Sequence, residues 1–321
     1  MAMISYAQNF EDVLLWRALK DVRGGAYVDV GACDPTEGSV TRWFYDQGWA
    51  GVNIEPIPEL HARLERERPR DINIRAVAGS AAGRAALRVV RRNLGYSSLQ
   101  ADAALPDNLA EDVESIEVEV VTLDSVLEHL DRPALHFLKI DVEGAEAEVL
   151  AGCDLRRHRP WIMVVEATAP GTQTDVSAAW RGGVEAAGYR HAWFDGLNRW
   201  FVAEEQAGLI GRLALPPNVF DDFVPAQLQA LSRRVLRAEW DAAEARRAVQ
   251  AAQQEGLVRA EGAPPREALA EMEAAAARLA DAQLRAAEAD SRARAAEALV
   301  NAMRASTSWR LTAPLRTLGG G

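Results

Sequence analysis

Four carboxylates in this chain stand at or near the ends of apolar, strand-like segments. They are Asp29, Glu55, Asp141 and Glu166. In an open parallel sheet the carboxyl ends of the strands line one crevice, so these side chains are expected to converge there. Clustered carboxylates can act as a general base whose pKa is raised by a like-charged neighbour, or as oxygen ligands for Mg²⁺.

The segment AYVDVGAC (Ala26–Cys33) joins a buried strand to a turn with a single glycine, Gly31. A dinucleotide site would carry three glycines here, and a phosphate-binding loop would carry GK[ST]. About one βαβ unit later, Glu55 is placed to hold the 2′ and 3′ hydroxyls of a ribose. The sequence therefore predicts a nucleoside ligand without a pyrophosphate, and S-adenosylmethionine is the leading case.

Asp29 is predicted to contact the amino-acid part of that ligand, while Gly31 and Ala32 let the backbone approach it closely. The alternative for Asp29 is a buried carboxylate that caps the next turn. The alternative for Glu55 is a solvent-facing loop charge, which its apolar neighbours, including Pro56, make less favourable.

Transfer of a methyl group to a hydroxyl needs an oxygen about 3–3.5 Å from the methyl carbon. It also needs a base or a metal ion to take the hydroxyl proton. The predicted catalytic residues are Asp141, Glu166 and Asp195, and the predicted Mg²⁺ ligands are Asp141, Glu166 and Asn198. The alternative for Asp141 and Glu143 is that they cap the helix that follows, because carboxylates are favoured at helix N-termini.

Lys139 is one of only two lysines in the chain and alternates with apolar residues along its strand. It is either a buried amine with a shifted pKa or a side chain that extends from the sheet edge to solvent. We expect the second of these, a side chain that extends to solvent.

These residues must be positioned by alternating strands and helices. The predicted strands are Ala26–Val30, Gly51–Glu55, Ile72–Ala78, Ala85–Val90, Glu117–Val121, His136–Asp141, Trp161–Glu166, Arg190–Phe194 and Arg199–Ala203. The predicted helices between them are Phe10–Leu19, Val40–Gln47, Glu59–Arg68 and Glu143–Leu150. This alternation predicts an α/β fold with a mostly parallel, doubly wound sheet. The last two strands, joined by a hairpin-like DGLN turn, predict an antiparallel edge pair.

The composition excludes several classes of protein. The net charge of the 321 residues is −11, which gives no basic surface for nucleic acid. Two cysteines without metal-ligand spacing fit a reducing compartment. The N-terminus lacks a signal-peptide pattern and no apolar run spans a bilayer, so the expectation is a cytoplasmic protein.

Near residue 226 the sequence becomes rich in alanine, arginine and acids. The predicted organisation is a catalytic domain at 1–226, a helical connector at 227–262, a coiled-coil helix at 263–305 and a tail at 306–321. Heptad-like spacing favours self-association through these helices. The alternative is a solvated single helix, because a helix–helix interface made of alanine side chains buries little area.

Several strings together resemble the FkbM-type family of S-adenosylmethionine-dependent O-methyltransferases. They are SYAQNFEDVLL, YVDVGACDPTEGSVTRWFY, GVNIEP, TLDSVL, FLKIDVEGAEAEVLAG and VVEAT, within residues 4–225. The string FLKIDVEGAE is the most specific. GSVTRWFY and FDGLNRWFVAEE look like a branch associated with bacterial surface polysaccharides, and the tail STSWRLTAPLR looks like an ending shared by polysaccharide-assembly proteins. The resemblance implies a class I methyltransferase fold, which is Rossmann-like, and a sugar hydroxyl as acceptor.

The resemblance also implies roles for individual residues. Gln8 and Asp12 would close over the cofactor, Asp29 and Gly31 would hold its methionine part, and Asp141 would face the transferred methyl. Ala78 or the Tyr96–Ser97–Ser98 loop would lie near the adenine or the substrate. The full predicted cofactor set is Gln8, Asp12, Asp29, Gly31, Ala32, Glu55, Pro56, Ala78 and Ser97. The Cys33-Asp34-Pro35 continuation departs from the family pattern.

Three functions compete. The first is methyl transfer to a sugar hydroxyl in polysaccharide biosynthesis, with possible Mg²⁺ dependence and a location peripheral to the inner membrane through an assembly complex. The second is an inactive scaffold that recruits glycosyltransferases through its helical tail, although buried charges at a crevice are costly to keep without a use. The third is an NAD-dependent modifier of nucleotide sugars, which the single glycine at Gly31 disfavours.

Overall fold

The computed structural model describes residues 2–91, 94, 97–99, 113–128, 130, 133–260 and 280. The chain divides into one compact unit of residues 3–223 and a second of residues 224–321. Tyr96, the predicted tail and the predicted coiled-coil helix, apart from Ala280, lie outside the described residues.

Strands and helices alternate through the first unit. The strands are β1 (Met3–Ser5), β2 (Ala26–Val30), β3 (Ala50–Ile54), β4 (Ile72–Ile74), β5 (Val77–Ala78), β6 (Gly83–Val90), β7 (Val113–Val121), β8 (Phe137–Ile140), β9 (Ile162–Glu166), β10 (Tyr189–Phe194), β11 (Asn198–Ala203) and β12 (Phe223–Pro225). The helices are α1 (Glu11–Leu19), α2 (Arg42–Asp46), α3 (Pro58–Glu67), α4 (Leu123–Glu128), α5 (Glu146–Ala151), α6 (Arg181–Ala186), α7 (Ile210–Leu213) and, in the second unit, α8 (Ala226–Ala260).

The central sheet has seven strands in the order β10-β11-β9-β8-β2-β3-β4. Strands β9, β8, β2, β3 and β4 are parallel, and β11 runs antiparallel to both of its neighbours. The predicted mostly parallel α/β sheet is thus confirmed. The predicted edge pair is antiparallel, but its second strand, β11, is inserted between β9 and β10. The N-terminus of β11 therefore lies at the same edge as the carboxyl ends of the parallel strands.

The segment predicted as one strand, Ile72–Ala78, is divided between two sheets. Strand β4 belongs to the central sheet, whereas β5 pairs with β7 in a separate three-stranded sheet ordered β5-β7-β6. In β6 and β7 buried and exposed residues are interspersed. This pattern is typical of an antiparallel pair with one face in solvent, whereas strands buried on both faces are apolar throughout.

Both faces of the central sheet are covered. Alternate residues of the same strands feed two hydrophobic clusters: Val28 and Leu138 belong to one, while Tyr27 and Phe137 belong to the other. This two-sided burial explains why the strands read as continuous apolar runs. Among the described residues, every helix is too short or too polar to cross a lipid bilayer.

Candidate active site

The glycine turn after β2 is shaped by the loop that follows β8. Gly31 has φ +74°, and a Cβ atom placed on it would lie 1.9 Å from the carbonyl oxygen of Asp141. The N–H groups of Gly31 and Ala32 both donate to the carbonyl of Ile54, at 3.0 and 3.2 Å. This position therefore requires glycine because the backbone of Asp141 occupies the space of a side chain. Both N–H groups already have a partner within the protein.

Glu55 connects this turn to the loop after β3. Its two carboxylate oxygens accept hydrogen bonds from the N–H of Cys33, at 2.9 Å, and of Ile57, at 2.8 Å. Burial raises the pKa of Glu55 to about 7, although both backbone hydrogen bonds oppose the shift. Because a carboxylate has about four lone-pair sites, two remain to accept hydrogen bonds from a ligand.

Lys139 lies between two carboxylates on the central strand β8. Its Nζ donates to the carbonyl of Gly31 at 2.9 Å and stands 3.4 Å from both Asp29 Oδ1 and Asp141 Oδ2. Burial alone would lower the pKa of Lys139, but the charges of Asp141 and Asp29 raise it above its usual value. The expectation that Lys139 extends to solvent is wrong, because the side chain is buried and ion-paired.

Asp29 is almost completely buried. Thr41 Oγ1 donates to its Oδ2 at 3.0 Å, whereas Oδ1 accepts no hydrogen bond from any described residue. Its ion-pair contact with Lys139 leaves Oδ1 able to accept a further donor.

Three acids meet at the ends of β8 and β9. One carboxylate oxygen each of Asp141, Glu143 and Glu166 lies within 4.8 Å of the others. Glu166 is 7% exposed, and its Oε2 has no hydrogen-bond partner among the described residues. Burial and the charges of Asp141 and Glu143 raise the pKa of Glu166 well above its usual range, and the pKa of Glu143 is raised to about 8 by burial and Asp141. This cluster, Asp141–Glu143–Glu166, is called the acid cluster below.

The loop after β8, which carries Asp141 and Glu143 of the acid cluster, is fixed from two sides. Glu146 Oε1 accepts from the N–H groups of Val142, at 3.2 Å, and Gly144, at 3.0 Å. Ser98 Oγ donates to the carbonyl of Glu143 at 2.8 Å. Helix α5 begins at Glu146, not at the predicted Glu143, because Glu143 (φ +54°) and Gly144 (φ +101°) have left-handed backbone conformations.

The hairpin residues are tightly bonded to each other. Asp195 accepts from the N–H groups of Leu197 and Asn198, at 2.9 and 2.6 Å, from Trp200 Nε1 at 2.7 Å and from Asn198 Nδ2 at 3.2 Å. Four donors occupy the carboxylate of Asp195, so it organises the hairpin and has little capacity left to act as a base.

The other predicted cofactor-binding residues differ in burial and in their hydrogen bonds. Asp12 is fully buried and accepts from Ser5 Oγ and Tyr6 N, both at 2.7 Å, while Gln8 is exposed in the turn between them. Pro56 is half-buried beside Glu55, Ala78 is buried in β5, and Ser97 Oγ accepts from Val90 N at 3.2 Å.

Two acidic side chains at this edge of the sheet have positions that the sequence does not predict. The sequence predicts Glu143 only as a helix cap, yet in the structure it belongs to the acid cluster. Glu11 has no predicted role, yet its Oε1 accepts from Asn198 Nδ2 at 3.0 Å. No local signal separates Glu11 from the adjacent Asp12, because both are acids in the first turn of α1, where acids are common.

A known protein family matches the part of the chain that carries this site. The FkbM methyltransferase domain matches residues 29–191, which contain Asp29, Glu55 and the acid cluster. The chain therefore belongs to the FkbM methyltransferase family, which confirms the resemblance and leaves the polysaccharide-associated branch as a prediction. No curated protein matches the chain in sequence. A solved structure that the chain resembles is a TehB-like SAM-dependent methyltransferase from Corynebacterium glutamicum. The identity is 12% and the TM-score 0.33, over 60% of this chain and 87% of that one, which is too remote to assign any property here.

Proposed function

We propose that this FkbM-family protein is an S-adenosylmethionine-dependent O-methyltransferase that acts on a sugar hydroxyl during bacterial cell-surface polysaccharide biosynthesis. The observation that carries the proposal is the acid cluster at the carboxyl edge of the sheet, where the buried Glu166 carboxyl lies beside Asp141. A hydroxyl acceptor has a proton to lose, and carboxylates next to the reaction centre can take it.

The donor atoms present fit S-adenosylmethionine. Asp29 Oδ1 is a buried acceptor without a hydrogen-bond donor among the described residues, which suits the ammonium group of the methionine part. Glu55 retains lone pairs for the ribose hydroxyls. The neighbouring acid cluster favours a cation, and the cofactor is cationic at both its ammonium and its sulfur. When bound, it would supply an electrophilic methyl group.

The residues of the chain would then divide the remaining work. Asp141, whose side chain is 28% exposed, can meet the acceptor hydroxyl and take its proton, while Lys139 Nζ stands 3.4 Å from its Oδ2. Glu166 is buried and would bind the acceptor as a proton donor because its pKa is raised. Asp195 would act by keeping the hairpin in place and not as the base.

Mg²⁺ is a further candidate ligand of this site. Asp141, Glu143 and Glu166 offer oxygen atoms of the kind that hard cations prefer. We propose that transfer does not require the ion, since Lys139 already supplies a positive charge to Asp141. Equal rates with EDTA and with added Mg²⁺ would support this, and loss of transfer with EDTA that Mg²⁺ restores would contradict it.

The proposal also covers location and partners. The helical region after residue 226 would bind polysaccharide-assembly proteins, or a second copy of the chain, and so hold a cytoplasmic enzyme near the inner membrane.

The test is a transfer assay with the full chain. S-adenosylmethionine labelled in its methyl group is incubated with nucleotide sugars and oligosaccharides, and the label in the sugar is counted. Transfer to at least one sugar hydroxyl, reduced at least about 100-fold in Asp141→Asn, is the expected result for loss of a general base. Cofactor binding without transfer to any carbohydrate would favour the inactive scaffold instead.

A further inference from the structure

The side-chain amide of Asn198 is held in one orientation by two carboxylates. Its Nδ2 donates to Glu11 Oε1 at 3.0 Å and to Asp195 Oδ2 at 3.2 Å. Asp195 also accepts from the N–H groups of Leu197 and Asn198 and from Trp200 Nε1, so its oxygens act as acceptors and the atom of Asn198 that faces them must be the amide nitrogen. The amide oxygen consequently faces away from Glu11 and Asp195. No described residue donates a hydrogen bond to Asn198 Oδ1.

The carboxylate of Glu11 is itself fixed. Glu11 begins helix α1 and is 4% exposed, and its Oε2 accepts from the N–H of Asn9 at 3.1 Å. The adjacent Asp12 holds Ser5 and Tyr6. The contact with Asn198 therefore joins the first residue of α1 to the first residue of β11, 187 residues apart in the chain.

Asn198 lies directly beside the acid cluster. In the antiparallel register of β11 and β9, its partner is Glu166. Directly opposed residues of an antiparallel pair have side chains on the same face, with Cβ atoms about 4.5–5.5 Å apart. The fixed amide oxygen of Asn198 is thus presented on the face that carries the Glu166 carboxyl.

The strand order also places Asn198 far from the predicted nucleoside site. Strand β11 is four strands from β3, which ends beside Glu55. At about 4.8 Å per strand this is about 19 Å along the sheet. The region around Asn198 is therefore on the acceptor half of the crevice.

We propose that Asn198 is a specificity-determining residue that accepts a hydrogen bond from a hydroxyl of the acceptor through Oδ1, and that Glu11 is a positioning residue that orients this amide. The inference rests on the proposed function, which supplies the hydroxyl acceptor. Both residues lie outside the stretch that the family domain matches. An amide oxygen favours acceptors that carry a hydroxyl at this point over those that carry an ether or a deoxy position, because the latter cannot donate.

The test compares wild type, Asn198→Ala, Glu11→Gln and the double variant. The measurements are the KM for the acceptor found above, kcat and the Kd for S-adenosylmethionine. Loss of a neutral hydrogen bond is expected to raise the acceptor KM about tenfold in Asn198→Ala, with the cofactor Kd within about twofold. Glu11→Gln is expected to raise the KM about three- to tenfold, because an amide cannot accept from Asn198 and from Asn9 with both of its atoms. In the double variant the Glu11→Gln effect should disappear, since Glu11 acts through Asn198.

Asn53→Ala is the matched control. Asn53 is also a buried asparagine of the central sheet, and its Nδ2 donates to Asp71 and Asn73. This variant should lower the melting temperature and leave the acceptor KM unchanged.

An unchanged KM in Asn198→Ala would overturn the inference while wild-type transfer upholds the proposed function. So would a Glu11→Gln effect that persists fully in the double variant. Absence of transfer by wild type would overturn both.

Discussion

Gly31→Ala is the substitution that most directly probes how the site is assembled. The new methyl group would stand 1.9 Å from the Asp141 carbonyl oxygen, and real Cβ atoms need at least 3.0 Å, so the β8 loop must move by about 1.1 Å. Such overpacking costs about 1–3 kcal/mol. A left-handed backbone costs a residue with a Cβ about 1–2 kcal/mol more. We expect the free energy of unfolding to fall by about 2–5 kcal/mol in total.

Gly38→Ala separates the cost of the steric clash from the cost of the left-handed backbone. Gly38 has the same φ of +74°, yet a Cβ there would meet nothing within 4 Å. It should therefore lose only about 1–2 kcal/mol in urea denaturation. Because a displacement of about 1 Å at a reacting group costs about 100-fold in rate, Gly31→Ala should lose methyl transfer while Gly38→Ala keeps it. Equal stability and equal transfer rates in the two variants would refute the reasoning that Gly31 exists to admit the backbone of Asp141.

Three further predictions concern charge and domain organisation. Glu55 has a pKa of about 7 in the folded chain and 4.5 as its ordinary value, so its stabilising contribution is present below about pH 4.5 and lost as the pH rises through 7. The melting temperature should thus fall between pH 5 and pH 8, and this fall should be smaller in Glu55→Gln. The same pH dependence in Glu55→Gln and wild type would contradict a contribution from Glu55. Lys139→Met leaves Asp29 and Asp141 without their shared cation and should cost about 3–5 kcal/mol of unfolding free energy. Arg84→Met breaks a largely exposed pair with Glu117 and should cost less than about 1 kcal/mol; similar losses in both would contradict the buried-pair account. Deletion of residues 227–321 should leave transfer to a free acceptor intact but disturb the glycan pattern in cells, and loss of transfer to the free acceptor would speak against an independent catalytic domain.

Much of the sheet could be predicted because its strands are buried on both faces. A run such as Ile162–Val165 has few alternatives once every residue must be apolar. The convergence of Asp29, Glu55, Asp141 and Glu166 follows from the rule that parallel strands end at one edge. The insertion of β11 between β9 and β10 could not be read from the turn, because a hairpin signal fixes the pairing of two strands and not which of them meets the sheet.

The partners of the charged side chains could not be predicted either. Lys139 and Asp195 look equally available in the sequence, but one lies between two carboxylates and the other accepts from four donors. Glu11 meets Asn198 only after the whole sheet has formed. Such contacts depend on distances between elements that are far apart in the chain, and spacing along the sequence carries no information about them.

The central claim is that the carboxyl edge of this sheet binds S-adenosylmethionine, and calorimetric titration of the full chain tests it most directly. We expect one molecule to bind per chain, with proton release detected as a dependence of the heat on buffer ionisation. The reason is that a cation beside Glu55 and Glu143 lowers their raised pKa values. The demethylated product should also bind, and release fewer protons because it lacks the sulfonium charge. No heat with either compound would contradict the account.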